Sequence, residues 1–146
     1  MAERTATAVW QGGLTDGSGS FDVGSGALPN QPVTWASRTE DPAGRTSPEE
    51  LIAAAHASCY AMAFSYTLQN AGHPAERLEV TSQVGFGPKP SGGMQVTHSN
   101  LTVRGRVPGL DQAQFADLAR QGEQGCPVSN ALRNNVEINL DATLES

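Results

Sequence analysis

Chemistry in this 146-residue chain can be sought first in its two cysteines, Cys59 and Cys126. A thiol is a nucleophile only as the thiolate, and apolar burial alone raises its pKa and leaves it inert. Cys59 lies inside the apolar run Leu51 to Leu68, where the ordinary reading of a free cysteine is a small packed hydrophobe. To react it needs a positive partner, and the candidates are Arg38 and Arg45 in the polar loop ahead of the run. Cys126 is better placed for reactivity. It precedes Pro127 at a predicted helix N-terminus, where unpaired N–H groups favour negative charge. Packing is its ordinary reading too, with Gly125 and Pro127 serving the turn. The separation of 67 positions leaves open whether the two thiols meet.

The acids and histidines have structural readings of their own. Glu49 and Glu50 stand in the first turn of the predicted helix, where a carboxylate complements the helix dipole and Glu50 completes a Ser47-x-x-Glu50 capping box. Glu49 is ten residues from Cys59, about 15 Å along one helix. If both belong to one site, Glu49 must come from a second copy of the chain. His56 reads as a core or interface residue, His73 as a neighbour of the helix C-cap, and His98 as partly exposed. The cysteines and histidines show no metal-ligand spacing, so no metal site is expected. Nucleophile elbows, P-loops and dinucleotide fingerprints are not found.

The elements that must position these residues can be read in order. Thr5–Gln11 and Ser20–Val23 read as short strands between glycine-rich turns, and 31–37 as a further extended piece ending at Arg38. A disordered Gly/Ser linker is the competing reading of residues 12–26, but Trp10, Leu14, Phe21, Val23 and Leu28 look for a core. Ser47 caps and Pro48 opens a long helix, which Asn70-Ala71-Gly72-His73-Pro74 stops. Apolar on nearly every face, that helix must be buried in a core or against a second copy of itself. Alternation from Leu78 to Phe86 and from Met94 to Val107 gives two strands around the turn 87–93, with a slip near Ser99-Asn100 that suggests a β-bulge. Asp111 caps a second helix carrying Phe115, Leu118, Ala119 and Gly122. A short helix starts at Pro127, and Val136 to Leu144 alternate as the last strand. Helices segregated from mainly antiparallel strands define an α+β fold in one domain, residues 1–146.

Composition narrows the partners. A net charge of −6 with scattered cations opposes nucleic-acid binding and offers nothing to an anionic membrane. The central helix reads as too short, and too broken by Ser, His, Tyr and Gln, to span a bilayer. The opening residues show no leader pattern, and the expected location is cytoplasmic.

Ser47-Pro48-Glu49-Glu50-Leu51 with Ala53-Ala54-Ala55-His56-Ala57-Ser58-Cys59, and Gly125-Cys126-Pro127-Val128-Ser129, together resemble the OsmC/Ohr family of osmotically inducible and organic hydroperoxide resistance proteins. The resemblance covers almost the whole chain, including Trp10-Gln11-Gly12 and the Val107-Pro108-Gly109 turn. Thr34-Trp35-Ala36-Ser37-Arg38 favours the OsmC branch. It implies an intertwined homodimer with long central helices between mainly antiparallel sheets. It also implies a cysteine-based peroxidase acting on organic hydroperoxides, with hydrogen peroxide as a possible further substrate. Cys59 would be the peroxidatic thiol, Cys126 the resolving thiol, Arg38 the thiolate-stabilising cation and Glu49 its ion-pair partner. Arg45 is the alternative to Arg38. No cofactor is expected beyond an external dithiol reductant, for which the family suggests a lipoyl type.

The competing function is a noncatalytic dimeric module that holds an apolar ligand, with structural cysteines. A general thiol–disulfide oxidoreductase is disfavoured, because the cysteines are far apart in sequence and not in a Cys-x-x-Cys.

Overall fold

Caps and turns place the elements along the chain. The structure is a computed structural model that describes residues 1–145. Its contacts divide the chain into two compact units, Met1–Leu51 and a second beginning at Ile52.

The first unit is a small antiparallel sheet followed by a helical turn. Strands β1 (Ala6–Gln11), β2 (Ser18–Val23) and β3 (Gln31–Val33) pair in sequence order. Ala8 lies opposite Phe21, and Ser20 opposite Pro32. Glycine is required in the first hairpin: Gly12 has φ +91°, and a Cβ on Gly19 would stand 2.7 Å from the Trp10 ring. Residues 12–26 are therefore sheet and turn rather than linker. Of the side chains expected to seek a core, Phe21 is buried, while Trp10, Leu14 and Leu28 keep 42%, 58% and 39% of their surface exposed.

After β3 the chain departs from the extended reading. Trp35–Thr39 is a short helix, α1, so Arg38 lies on a helix and not in a loop. Thr34 is its cap. The Thr34 hydroxyl accepts from the Ser37 N–H, and the Ser37 hydroxyl accepts from the Thr34 N–H, both at 3.0 Å. Reciprocal satisfaction of two orphan donors outweighs the strand propensity of Val33-Thr34-Trp35.

Helix α2 spans Pro48–Asn70. The Ser47 hydroxyl accepts from the Glu50 N–H at 3.2 Å as expected, but the Glu50 carboxylate takes the Thr46 hydroxyl at 2.9 Å. At the other end His73 N–H reaches Leu68 C=O and Gly72 N–H reaches Gln69 C=O, with Gly72 at φ +85°. This is a Schellman stop, which only a residue tolerant of the left-handed region completes without strain. At 23 residues, α2 is the one helix among the described residues long and apolar enough to cross a membrane. The expectation that it is too short is thus corrected. One side of it, His56, Tyr60, Phe64 and Leu68, is wholly buried, whereas Met62 and Tyr66 are 68% and 67% exposed.

The second unit packs that buried side into a core with Leu101, Val103, Phe115 and Ala119. Phe64 sits 5.7 Å from Tyr60 and 5.1 Å from Phe115, ring centre to ring centre. Strands β4 (Arg77–Pro88), β5 (Met94–Arg106) and β6 (Glu137–Leu144) form its sheet in that order. The β4–β5 register shifts between Val84 and Phe86, which face Ser99 and Val96. The bulge therefore lies at Thr97-His98 opposite Gly85, slightly before the expected position. A Cβ on Gly85 would run into the His98 ring. β6 joins β5 in parallel. The crossover this needs is supplied by α3 (Gln112–Gln124) and α4 (Pro127–Leu132). The fold is α+β, with one parallel pair in otherwise antiparallel sheets.

Candidate thiol site

Both cysteines are free thiols, Cys59 partly exposed on α2 and Cys126 fully buried. Cys126 is the cap of α4, with Pro127 at the first helical position. Ser129 N–H points at Cys126 Sγ, 3.5 Å away. The preceding amide, Val128 N–H, serves Cys59, and the two thiols lie within interaction range of each other. Burial pushes the Cys59 thiol up, the Val128 N–H opposes this, and Cys126 adds to the rise. Cys126, the position better placed for reactivity by its sequence context, is sealed from solvent, and Cys59 is the thiol that can be reached. Folding thus answers the question that spacing left open by bringing Cys59 and Cys126 together.

Behind the thiols stands a polar cluster buried in the core. His56 Nδ1 is 2.6 Å from Ser99 Oγ, and its Nε2 is 2.7 Å from Ser129 Oγ. Ser99 Oγ is also 2.9 Å from Ser82 Oγ. Burial pulls the His56 pKa down; Glu123 acts against this and Arg133 with it. Glu123, buried on α3, takes Arg133 Nη2 at 2.8 Å and so ties α3 to the end of α4. The same acid, after burial itself, contributes to raising the Tyr60 pKa. Tyr60 hydroxyl donates to Ala119 C=O at 3.0 Å. Sequence reasoning missed Ser82, Ser99, Ser129, Glu123 and Arg133. One signal was available: a histidine inside an apolar helix requires partners for both ring nitrogens.

In the first unit, Arg38 and Glu49 form an ion pair with Nη2–Oε1 at 2.8 Å. The Arg38 guanidinium also lies 6.0 Å from the centre of the Trp35 ring. Arg45 is exposed on the following loop. Beside Arg38 opens a cavity of about 310 Å³ lined by Trp10, Leu14, Val33, Thr34, Trp35 and Pro48. Its walls are mainly apolar, with Thr34 and Arg38 as its polar side chains. Trp35 borders this cavity, whereas Tyr60 and Phe64 are core. Among the described residues no three His, Cys, Asp or Glu side chains converge to hold a metal ion.

Comparison with known proteins agrees with these features. A family model described as OsmC-like protein matches residues 40–141. The chain is 38% identical to peroxiredoxin OsmC of Escherichia coli (strain K12), over 95% of this chain and 94% of that protein. It is 36% identical to the organic hydroperoxide resistance protein of Xanthomonas axonopodis pv. citri (strain 306), over 65% of each. Among solved structures, the organic hydroperoxide resistance protein OhrB of Bacillus subtilis superposes with a TM-score of 0.76 at 26% identity, covering 95% of this chain and 98% of that one. The corresponding protein of Elizabethkingia anophelis gives 0.77 at 26% identity, with 99% of each chain covered.

Proposed function

The chain belongs to the family of OsmC-like proteins, and from that membership we propose that it is a cysteine-based peroxidase that reduces organic hydroperoxides. The observation that carries this reading is the pairing of a reachable Cys59 with a buried Cys126, served by consecutive amides of one helical turn.

The cycle follows from sulfur chemistry. The Cys59 thiolate attacks the distal oxygen of the hydroperoxide; the O–O bond breaks, and the alkoxide takes a proton and leaves as alcohol. Cys59 is then a sulfenic acid. Cys126 attacks that sulfur, an S–S bond forms, and the hydroxyl leaves with the Cys126 proton as water. An external dithiol reduces the disulfide by exchange and becomes a disulfide itself. Hydrogen peroxide would enter the same cycle with water in place of the alcohol. The reductant is expected to be of lipoyl type, and the working compartment the cytoplasm.

The remaining parts concern charge and assembly. Burial disfavours the Cys59 thiolate, so the reaction needs a cation. In this reading Arg38 supplies it and Glu49 holds Arg38 in place. Because Glu49 and Cys59 are about 15 Å apart along one helix, a second copy brings Arg38 and Glu49 to the thiols. The same homodimer covers the exposed side of α2 at Met62 and Tyr66. The apolar cavity beside Arg38 accommodates the organic part of the hydroperoxide. The opposing reading, a binding module with structural thiols, also draws on that cavity, but predicts inert cysteines.

Mass spectrometry of the reduced protein before and after one equivalent of an alkyl hydroperoxide separates the two. The peroxidase forms a Cys59–Cys126 disulfide, and Cys59→Ser abolishes turnover. A fully active Cys59→Ser protein, or two thiols left intact by peroxide, would sink the proposal.

A further inference from the structure

We infer that His56 is a positioning residue for Cys126: through Ser129 it holds the first turn of α4 so that the Cys126 sulfur stays beside Cys59. The role of this geometry in resolving a sulfenic acid rests on the peroxidase reading; the geometry itself does not.

His56 is one of the few polar side chains in the core, and both its nitrogens are committed. Nδ1 is anchored on the sheet, where Ser99 of β5 is in turn within 2.9 Å of Ser82 of β4. Nε2 reaches across to Ser129 of α4. Ser129 is wholly buried and is gripped at three atoms. Its hydroxyl meets His56, its N–H points at Cys126 Sγ, and its C=O accepts from the Arg133 N–H at 2.9 Å. A helix of six residues has little stability of its own. Its first turn keeps one orientation because outside groups hold it: Val128 packs against the core, and His56 bonds the turn to the sheet through Ser129 and Ser99. α2 carries both His56 and Cys59, three residues apart, so one helix bears the reachable thiol and the anchor of its partner. Burial keeps the imidazole neutral, with one nitrogen donating and the other accepting.

The test measures disulfide formation by the intact protein with diamide as oxidant. One thiolate adds to the N=N bond, the second thiol displaces the resulting hydrazine, and two thiols become one disulfide. Ser129→Ala and His56→Phe are expected to slow this closure about ten- to a hundredfold, the scale on which small misplacements act. Because both break one connection, the double variant should be no slower than the worse single variant. Ser129→Thr keeps the hydroxyl and should restore the rate, which a purely volumetric role would not predict. Closure at the parental rate in Ser129→Ala overturns the inference, as do additive losses in the double variant. Should His56→Phe fail to fold, the Ser129→Ala and Ser129→Thr pair decides alone. Failure of the peroxidase reading shows separately, as a parent protein that closes with diamide but leaves alkyl hydroperoxide unconsumed.

Discussion

Arg38 lays one edge of its guanidinium on the Glu49 carboxylate, with Nε 3.0 Å and 3.1 Å from the two oxygens and Nη2 2.8 Å from Oε1. Glu49 is 6% exposed, while the arginine side chain keeps 31% of its surface. The pair thus has a dry acidic end and a wetter cationic end, which suits an arginine that is held from behind and offers charge outward. Arg38→Met should lower the rate with organic hydroperoxide by roughly ten- to a thousandfold, the range expected when an opposite charge near a thiolate is removed. Glu49→Gln keeps the arginine but loosens it, and a loss of about tenfold is expected. The pH dependence of Cys59 alkylation checks both: the midpoint should move upward in Arg38→Met.

Cys126→Ser removes the buried thiol and leaves Cys59 to be oxidised without a partner. Successive equivalents of hydroperoxide should then carry Cys59 past the sulfenic to the sulfinic acid, visible as a gain of two oxygens in the intact mass. Normal repeated turnover by this variant would show that Cys126 has no part in resolution.

Met62 and Tyr66 lie on the side of α2 opposite the core, each about two-thirds exposed in a single chain. Met62→Glu places a charge where the proposed second copy would sit, and burying an unpaired charge is strongly unfavourable. Sedimentation velocity should show the parent as a dimer and the variant shifted to monomer at the same concentration. A monomeric parent would remove the second copy from the account of Arg38 and Glu49.

Because burial lowers the His56 pKa, the unfolded chain binds the proton more readily than the folded one. The stabilisation is therefore complete above the ordinary histidine value of 6.5 and is lost as pH falls through the lower folded value. Glu123 and Arg133 face the ring with opposing effects and leave burial dominant. Urea unfolding between neutral and acid pH should show a His56-dependent slope of at most about 1.4 kcal/mol per pH unit. That component should be missing in His56→Phe.

Gly105 lies where β5 passes beneath α3. A Cβ there would stand 2.7 Å from two atoms of the Phe115 ring and 2.9 Å from a Leu78 methyl. Phe115 is fully buried and has no free side to turn to. Gly105→Ala should cost about 1–3 kcal/mol in equilibrium unfolding, the usual range for overpacking.

Local chemistry made much of this molecule legible from sequence. Ser47-Pro48 and Gly72 bound α2, Asp111 and Pro127 start α3 and α4, and period-two alternation marks β4, β5 and β6, because caps and side-chain period are properties of neighbouring residues. The half-box at Glu50, the helix at Trp35–Thr39 and the offset bulge at His98 show the limit of that reading: competing local bonds differ by little, and surrounding packing selects among them. The two cysteine motifs were visible as motifs and as a family resemblance. That Cys59 is the reachable thiol, that Cys126 lies buried beside it, and that His56 bonds Ser99 and Ser129 were decided only by the tertiary structure. Ser99 and Ser129 are 43 and 73 positions from His56. Burial and hydrogen bonding between residues so far apart depend on which surfaces the fold brings together, and spacing along the chain carries no record of that.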